Sequence, residues 1–150
     1  MKKILFICTI LAALFISGCK KSNETDYASG WVGVYNDPSS VPNSGVNTTA
    51  YLNNIIISST GPSTLKIQIK AIETNYIYTY TTLKGVNLNG ATVANIDEMD
   101  NLTEGTGQYH IKGTLTMTGT HVVLSATATN TASTKETDIK TLYFSGIKNQ

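Results

Sequence analysis

Four groups of side chains in this chain have types and spacings suited to chemistry. The first is the thiol of Cys19, which follows Ile16-Ser17-Gly18 at the end of an apolar run. The second is a set of rings: Trp31, Tyr35, Tyr51, Tyr76, Tyr78, Tyr80, Tyr109 and Tyr143. The third is an acidic group, Asp97, Glu98, Asp100 and Glu104, with Asn101 among them. The fourth is the pair His110 and His121. Nucleophilic catalysis needs a Ser or Cys with a base and an orienting carboxylate, and no Gly-x-Ser-x-Gly turn presents such a serine. A zinc site built on the two histidines would need two further ligands at suitable spacing, and none is present. His110 shares its parity with Lys112, so a solvated or cross-strand role is the expectation. The acids could hold a hard cation through oxygen, but their spacing is not that of an EF-hand, and a solvated loop is expected. Carboxylates from one loop are also poorly placed to flank a sugar ring for hydrolysis. No catalytic residue, metal ligand or cofactor is therefore assigned. The rings offer apolar area with one polar handle each. They could line a barrel interior or stack on sugars, and Trp31, Tyr35, Tyr78, Tyr109 and Tyr143 are the candidate ligand contacts. Packing in the core is the competing expectation.

Elements must position these groups, and the N-terminus is the most explicit. Met1-Lys2-Lys3 is a short basic segment, and Ile4 to Ile16 is an apolar run. That run is too short for a membrane span of about 20 residues, and it matches the hydrophobic region of a secretory signal. Basic segment, apolar run and Ile16-Ser17-Gly18-Cys19, in that order, resemble the signal and lipobox of bacterial lipoproteins. The resemblance implies removal of residues 1–18, a thioether-linked diacylglyceryl group on Cys19 and acylation of its new α-amine. Two or more acyl chains hold a protein stably on a bilayer, so the chain is expected to be tethered to the membrane rather than to span it. Lys20 stands where an Asp would favour inner-membrane retention, which implies the outer membrane of a Gram-negative cell. Lys20, Lys21, Glu24 and Asp26 faintly resemble the export signals of surface lipoproteins and leave the leaflet open. Residues 19–28 read as a flexible tether, and residues 29–150 as one domain.

The 150 residues include two cysteines, Cys8 and Cys19. Cys8 lies in the signal and Cys19 is the lipid site, so a mature domain would hold together without a disulfide. The chain has 11 Lys+Arg against 10 Asp+Glu, and none of the former is arginine. Near-zero net charge without arginine argues against a nucleic-acid partner. Abundant Thr, Ser, Asn and Gly, with 8 Tyr against 3 Phe and 1 Trp, suits strands and turns more than helices.

Strand periodicity runs through the domain. Gly30 to Tyr35 reads as a first strand with Trp31, Gly33 and Tyr35 on one face, followed by a long loop from Asn36 to Thr49. Tyr51 to Ser59 centres on three isoleucines. Thr64 to Ile72 alternates Leu65, Ile67, Ile69 and Ala71 with Lys66, Gln68 and Lys70. Asn75 to Leu83 alternates Tyr76, Tyr78 and Tyr80 with Ile77, Thr79 and Thr81. Val86 to Leu88 and Ala91 to Ile96 flank Asn89-Gly90, a hairpin signal or a bulge. Asp97 to Gly107 reads as loop, with one helical turn as an alternative. Tyr109 to Thr118 and His121 to Thr129 are joined by the Gly119-Thr120 turn, and Ile139 to Ile147 closes the series.

About eight strands on short connections must pair antiparallel, and such a sheet closes into a barrel or splits into a β-sandwich to limit open edges. Trp31 beside its glycines, the run Gly107 to Leu124 and the ending Phe144-Ser145-Gly146-Ile147-Lys148 are similar to the first and final strands of small lipocalin-like bacterial lipoproteins. That resemblance implies an all-β, eight-stranded antiparallel barrel and a small apolar or amphipathic ligand. The expectation is a lipid-anchored, non-enzymatic binding or scaffold domain. The alternatives are a sandwich serving protein interaction or adhesion, and a small hydrolase or inhibitor using the acidic segment.

Overall fold

A computed structural model describes residues 24–37, 52–73, 76–132 and 139–150. A single turn of helix, α1 (Ala28–Trp31), precedes eight strands: β1 (Gly33–Asn36), β2 (Leu52–Gly61), β3 (Thr64–Glu73), β4 (Tyr76–Leu88), β5 (Val93–Asn101), β6 (Gln108–Thr118), β7 (His121–Asn130) and β8 (Ile139–Lys148). Every strand pairs antiparallel with its neighbour in sequence. β8 returns to β1 through Tyr35↔Lys148 and Asn36↔Ile147, which closes the barrel. The sandwich alternative is thereby corrected: each strand has neighbours on both sides, so there is one continuous sheet and one interior.

The interior follows from the alternation. In β7, Val122, Leu124, Ala126 and Ala128 are buried, while Ser125, Thr127 and Thr129 face water. β3 contributes Leu65, Ile67, Ile69 and Ala71, β2 contributes Ile55 and Ile57, and β8 contributes Leu142 and Phe144. An eight-stranded barrel is just wide enough for such side chains to fill. Where β6 and β7 lie closest, Gly113 is obligatory, because a Cβ there would collide with the Ser125 carbonyl and Ala126.

Antiparallel order sends alternate connections to opposite ends. One end carries the tight turns after β2, β4 and β6, and α1 caps it. The amides of Tyr27 and Ala28 both donate to the Pro62 carbonyl, at 2.9 and 3.0 Å. The Asp26 carboxylate accepts from Ser29 N at 3.1 Å. Trp31 is thus placed by a helical turn and not by the first strand, which begins at Gly33, three residues later than its pattern implied. Its side chain is buried, and Tyr35 Oη donates to its carbonyl at 2.8 Å. The opposite end is where β1, β3, β5 and β7 finish; its described connection is the one between β5 and β6, and this end is referred to as the mouth.

β4 and β5 depart most from the expected pattern. The stretch read as Asn75–Leu83, a break and Val86–Leu88 is one 13-residue strand, made continuous by two irregularities. Ile69 opposes Thr81 while Lys70 opposes Thr79, leaving Tyr80 extra; Leu65 opposes Val86 while Ile67 opposes Leu83, leaving an extra residue near Lys84-Gly85. Each irregularity shifts the burial phase by one residue, so Tyr80, Leu83 and Val86 all reach the interior. β5 runs on to Asn101, so Asp97, Glu98 and Asp100 lie in a strand and not in the expected loop. β4 and β5 share only two ladder pairs, Asn87↔Asn95 and Leu88↔Ala94. Beyond them, side chains bridge the seam. Glu98 accepts from the amides of Lys84 and Gly85 at 2.8 and 2.5 Å. Asp100 Oδ2 accepts from Thr81 Oγ1 at 2.6 Å and Thr82 N at 3.0 Å.

Candidate binding site at the barrel mouth

Three tyrosines climb β4 from the interior to the rim. Tyr80 is 1% exposed, Tyr78 is half-buried and packs on the core, and Tyr76 is 71% exposed. Tyr78 opposes the buried Ala71 in the β3 register, so its ring stands on the inner face of the wall. Tyr76 and Tyr78 stack with centroids 6.3 Å apart and planes within 10°, an offset geometry favoured by ring quadrupoles.

The floor of the mouth is Tyr80 and Tyr109. Tyr109 is buried, and its ring covers Gly105, where a Cβ would lie 2.5 Å from the ring and 2.7 Å from its hydroxyl oxygen. The Tyr80 hydroxyl is buried and has no hydrogen-bond partner among the described residues. Burial, and secondarily the neighbouring Tyr109, push its pKa up to about 12. A buried hydroxyl left unpaired costs about 1–3 kcal/mol.

The β5–β6 connection forms one side of the mouth and is tied to the wall. Thr103 N donates to the Tyr80 carbonyl at 3.0 Å and Thr103 Oγ1 to the Thr79 carbonyl at 2.7 Å. Asn130 Nδ2 donates to the Thr106 carbonyl at 2.9 Å. This anchoring sets Glu104 beside the rim, where its carboxylate accepts from Tyr78 Oη. Lys140 Nζ donates to the Glu104 carbonyl at 2.9 Å.

Of the rings singled out in the sequence, Tyr78 and Tyr109 meet at the mouth. Trp31 and Tyr35 are buried together at the capped end, where burial raises the Tyr35 pKa. Trp31 Nε1, like the Tyr80 hydroxyl, has no partner among the described residues. Tyr143 is placed elsewhere: it lies on the outer face of β8, 57% exposed, between the inward Leu142 and Phe144. Tyr76, Tyr80 and Glu104 belong to the mouth but were not among the chosen contacts. Alternation with Tyr78 was the signal for the two tyrosines; Glu104 was marked in the sequence only as part of the acidic group, with nothing to link it to the rings. Cys19 and Tyr51 lie outside the described residues.

The histidines sit at opposite ends of the β6–β7 hairpin. His110 Nε2 is 2.5 Å from Asp97 Oδ1, and Lys112 Nζ is 3.6 Å from Asp97 Oδ2. The His110 hydrogen bond is the largest effect and holds the Asp97 carboxyl below the usual range; desolvation opposes it, and the Lys112 and His110 charges add smaller lowering effects. His121 Nε2 lies 2.9 Å from Ser145 Oγ on the outer wall. Among the described residues no three His, Cys, Asp or Glu side chains gather as a metal site, and no helix is long and apolar enough to cross a membrane. Compared with known proteins, the chain matches no family model, no curated protein and no solved structure.

Proposed function

We propose that this chain is an envelope lipoprotein, held on the outer membrane by lipid on Cys19, whose barrel is a non-enzymatic binding domain for a small amphipathic molecule. The observation that supports binding is the tyrosine series of β4, which runs from an exposed ring to a buried hydroxyl that has no partner among the described residues. A ligand with an apolar body and one acceptor would cover Tyr78 and Tyr109 and accept a hydrogen bond from the Tyr80 hydroxyl. The aliphatic packing below them supports a ligand held at the mouth rather than deep in the barrel. Membership of a lipocalin-like group is part of this proposal and rests on the barrel together with the short motifs around Trp31 and the final strands.

Native mass spectrometry of the mature protein taken from its own envelope tests the reading. Release of a bound small molecule on activation supports it, and a mass accounted for by polypeptide and acyl chains alone counts against it. Radiolabelled palmitate should enter the wild-type chain and be lost in Cys19→Ala. A second reading, a protein-docking domain, is favoured by Ile139, Tyr143 and Ile147, which stand exposed in line along β8. Cross-linking from Tyr143 in intact cells distinguishes it.

A further inference from the structure

The rim carries a feature that a purely apolar ligand would leave unused. Tyr76 shows 71% of its surface to water although it stacks on Tyr78, so one ring face is covered and the other is open. Next to the pair is Glu104, one of whose carboxylate oxygens accepts from Tyr78 Oη; the other has no donor among the described residues. The connection that carries Glu104 is fixed to β4 by Thr103 and to β7 by Asn130. The carboxylate is therefore held beside the rings before any ligand arrives, which lowers the ordering cost of binding.

We propose that Tyr76, Tyr78 and Glu104 form a rim subsite for a neutral pyranose ring. A pyranose has one face of axial C–H groups, weakly positive, which matches the negative face of an aromatic ring. Its edge hydroxyls are donors, which match a carboxylate whose second oxygen has no donor among the described residues. Its other face stays hydrated, as an exposed platform requires and a planar apolar ligand would not tolerate. An anionic sugar fits less well. Glu104 would repel it, and the ammonium of Lys140 is already placed on the Glu104 carbonyl. This inference rests on the mouth being the binding site and adds the chemical class of the group bound at its edge.

The test is calorimetric titration of the full lipidated protein, kept in a polyoxyethylene detergent that carries no sugar. The probes are maltohexaose, cellohexaose and chitohexaose, with an oligogalacturonate as the anionic comparison. At least one neutral oligomer should bind with a dissociation constant below about 10 mM, a weak affinity typical of a small contact. Tyr76→Ala should weaken it about tenfold or more, and Tyr76→Phe, which keeps the ring face, by no more than about twofold. Glu104→Gln keeps an acceptor but loses the charge and should weaken binding by about three- to tenfold. Tyr143→Ala on the far wall should change nothing. Thermal melting of Tyr76→Ala should match the wild type, since that ring is mostly in water. Failure of all three neutral oligomers, stronger binding of the oligogalacturonate, or full affinity in Tyr76→Ala overturns the inference. A small molecule found by native mass spectrometry alongside any of those results would leave the broader binding reading standing.

Discussion

Replacing Asp100 by Ala should loosen the barrel along the β4–β5 seam. The carboxylate accepts two hydrogen bonds there, from the Thr81 hydroxyl at 2.6 Å and the Thr82 amide at 3.0 Å. Hydrogen bonds to a charged acceptor contribute about 1.5–3 kcal/mol each. Asp100 is half-exposed, so water can replace it at Thr82, and that bond belongs at the low end of the range. Thr81 is only 3% exposed, so its hydroxyl would lose its acceptor without gaining water. A net loss of about 2–3 kcal/mol follows, a large share of the 5–15 kcal/mol that usually separates folded from unfolded domains. Urea unfolding followed by Trp31 fluorescence and far-ultraviolet dichroism would show a lower midpoint with an unchanged slope. Thr81→Val in the Asp100→Ala background should recover about 1 kcal/mol, because removing both members of a buried pair spares the orphaned hydroxyl. Hydrogen exchange should report faster opening at Thr82, Lys84 and Gly85 than at the β6–β7 ladder. A shift below about 0.5 kcal/mol in Asp100→Ala, or strict additivity with Thr81→Val, would refute the claim that this carboxylate holds the seam.

Tyr80→Phe removes a buried hydroxyl that has no partner among the described residues and should raise stability by about 1 kcal/mol in urea; a loss instead would mean that another group, a bound molecule or water satisfies it. Because the Tyr80 pKa is raised to about 12 from 10.0, its contribution is fully present below pH 10.0 and is lost as pH rises towards about 12. The phenylalanine variant should therefore show a shallower alkaline decline. Asp97 runs the other way: its pKa is lowered, chiefly by His110, so its contribution is present above the unfolded value and is lost as pH falls through the folded one. In His110→Gln the Asp97 carboxyl should titrate closer to the ordinary range, as read by carboxyl NMR. Gly105→Ala would push a methyl group into the Tyr109 ring and should cost about 1–3 kcal/mol of stability, with a weaker mouth.

The legible parts of the fold are those where one residue period decides everything. In β3, lysines alternate with aliphatics, and no other periodicity keeps Lys66 and Lys70 wet while burying Leu65 to Ala71. Gly119-Thr120 likewise marks its turn, with Gly119 at φ 61°. Trp31 was less legible, because its burial depends on a helical turn bonded to Pro62, a residue distant in sequence. The acidic segment was misread for a related reason. Glu98 and Asp100 share the inward parity of Ala94 and Ile96, and carboxylates at inward positions argue against a strand unless donors wait for them. Those donors lie on β4 and exist only because of its irregular backbone. The mouth was half legible: the alternation of Tyr76, Tyr78 and Tyr80 was visible, whereas the meeting of Tyr109 and Glu104 with them depends on a connection shaped by long-range bonds.

The irregularities of β4 and the acids of β5 therefore explain each other. Tyr80, Leu83 and Val86 are spaced by three residues, and a regular strand of period two would put Leu83 on the opposite face from Tyr80 and Val86. An unbroken alternation inward from Tyr76, Tyr78 and Tyr80 would continue to Thr82 and Lys84, placing an ammonium in the core. One inserted residue near Tyr80 moves the phase to Thr81 and Leu83, and another near Lys84-Gly85 moves it back to Val86. The cost is backbone amides at Thr82, Lys84 and Gly85 that need acceptors across the seam. Two carboxylates of the neighbouring strand reach across it, and each finds there the donors that let a charge occupy an inward position. The same phase change gives Tyr80 and Thr81 adjacent inward places, so the residue that anchors the seam and the residue that floors the mouth are consecutive. A substitution that restores regular pairing between β4 and β5 would thus be expected to displace Tyr80 as well, coupling the wall of the barrel to its binding end.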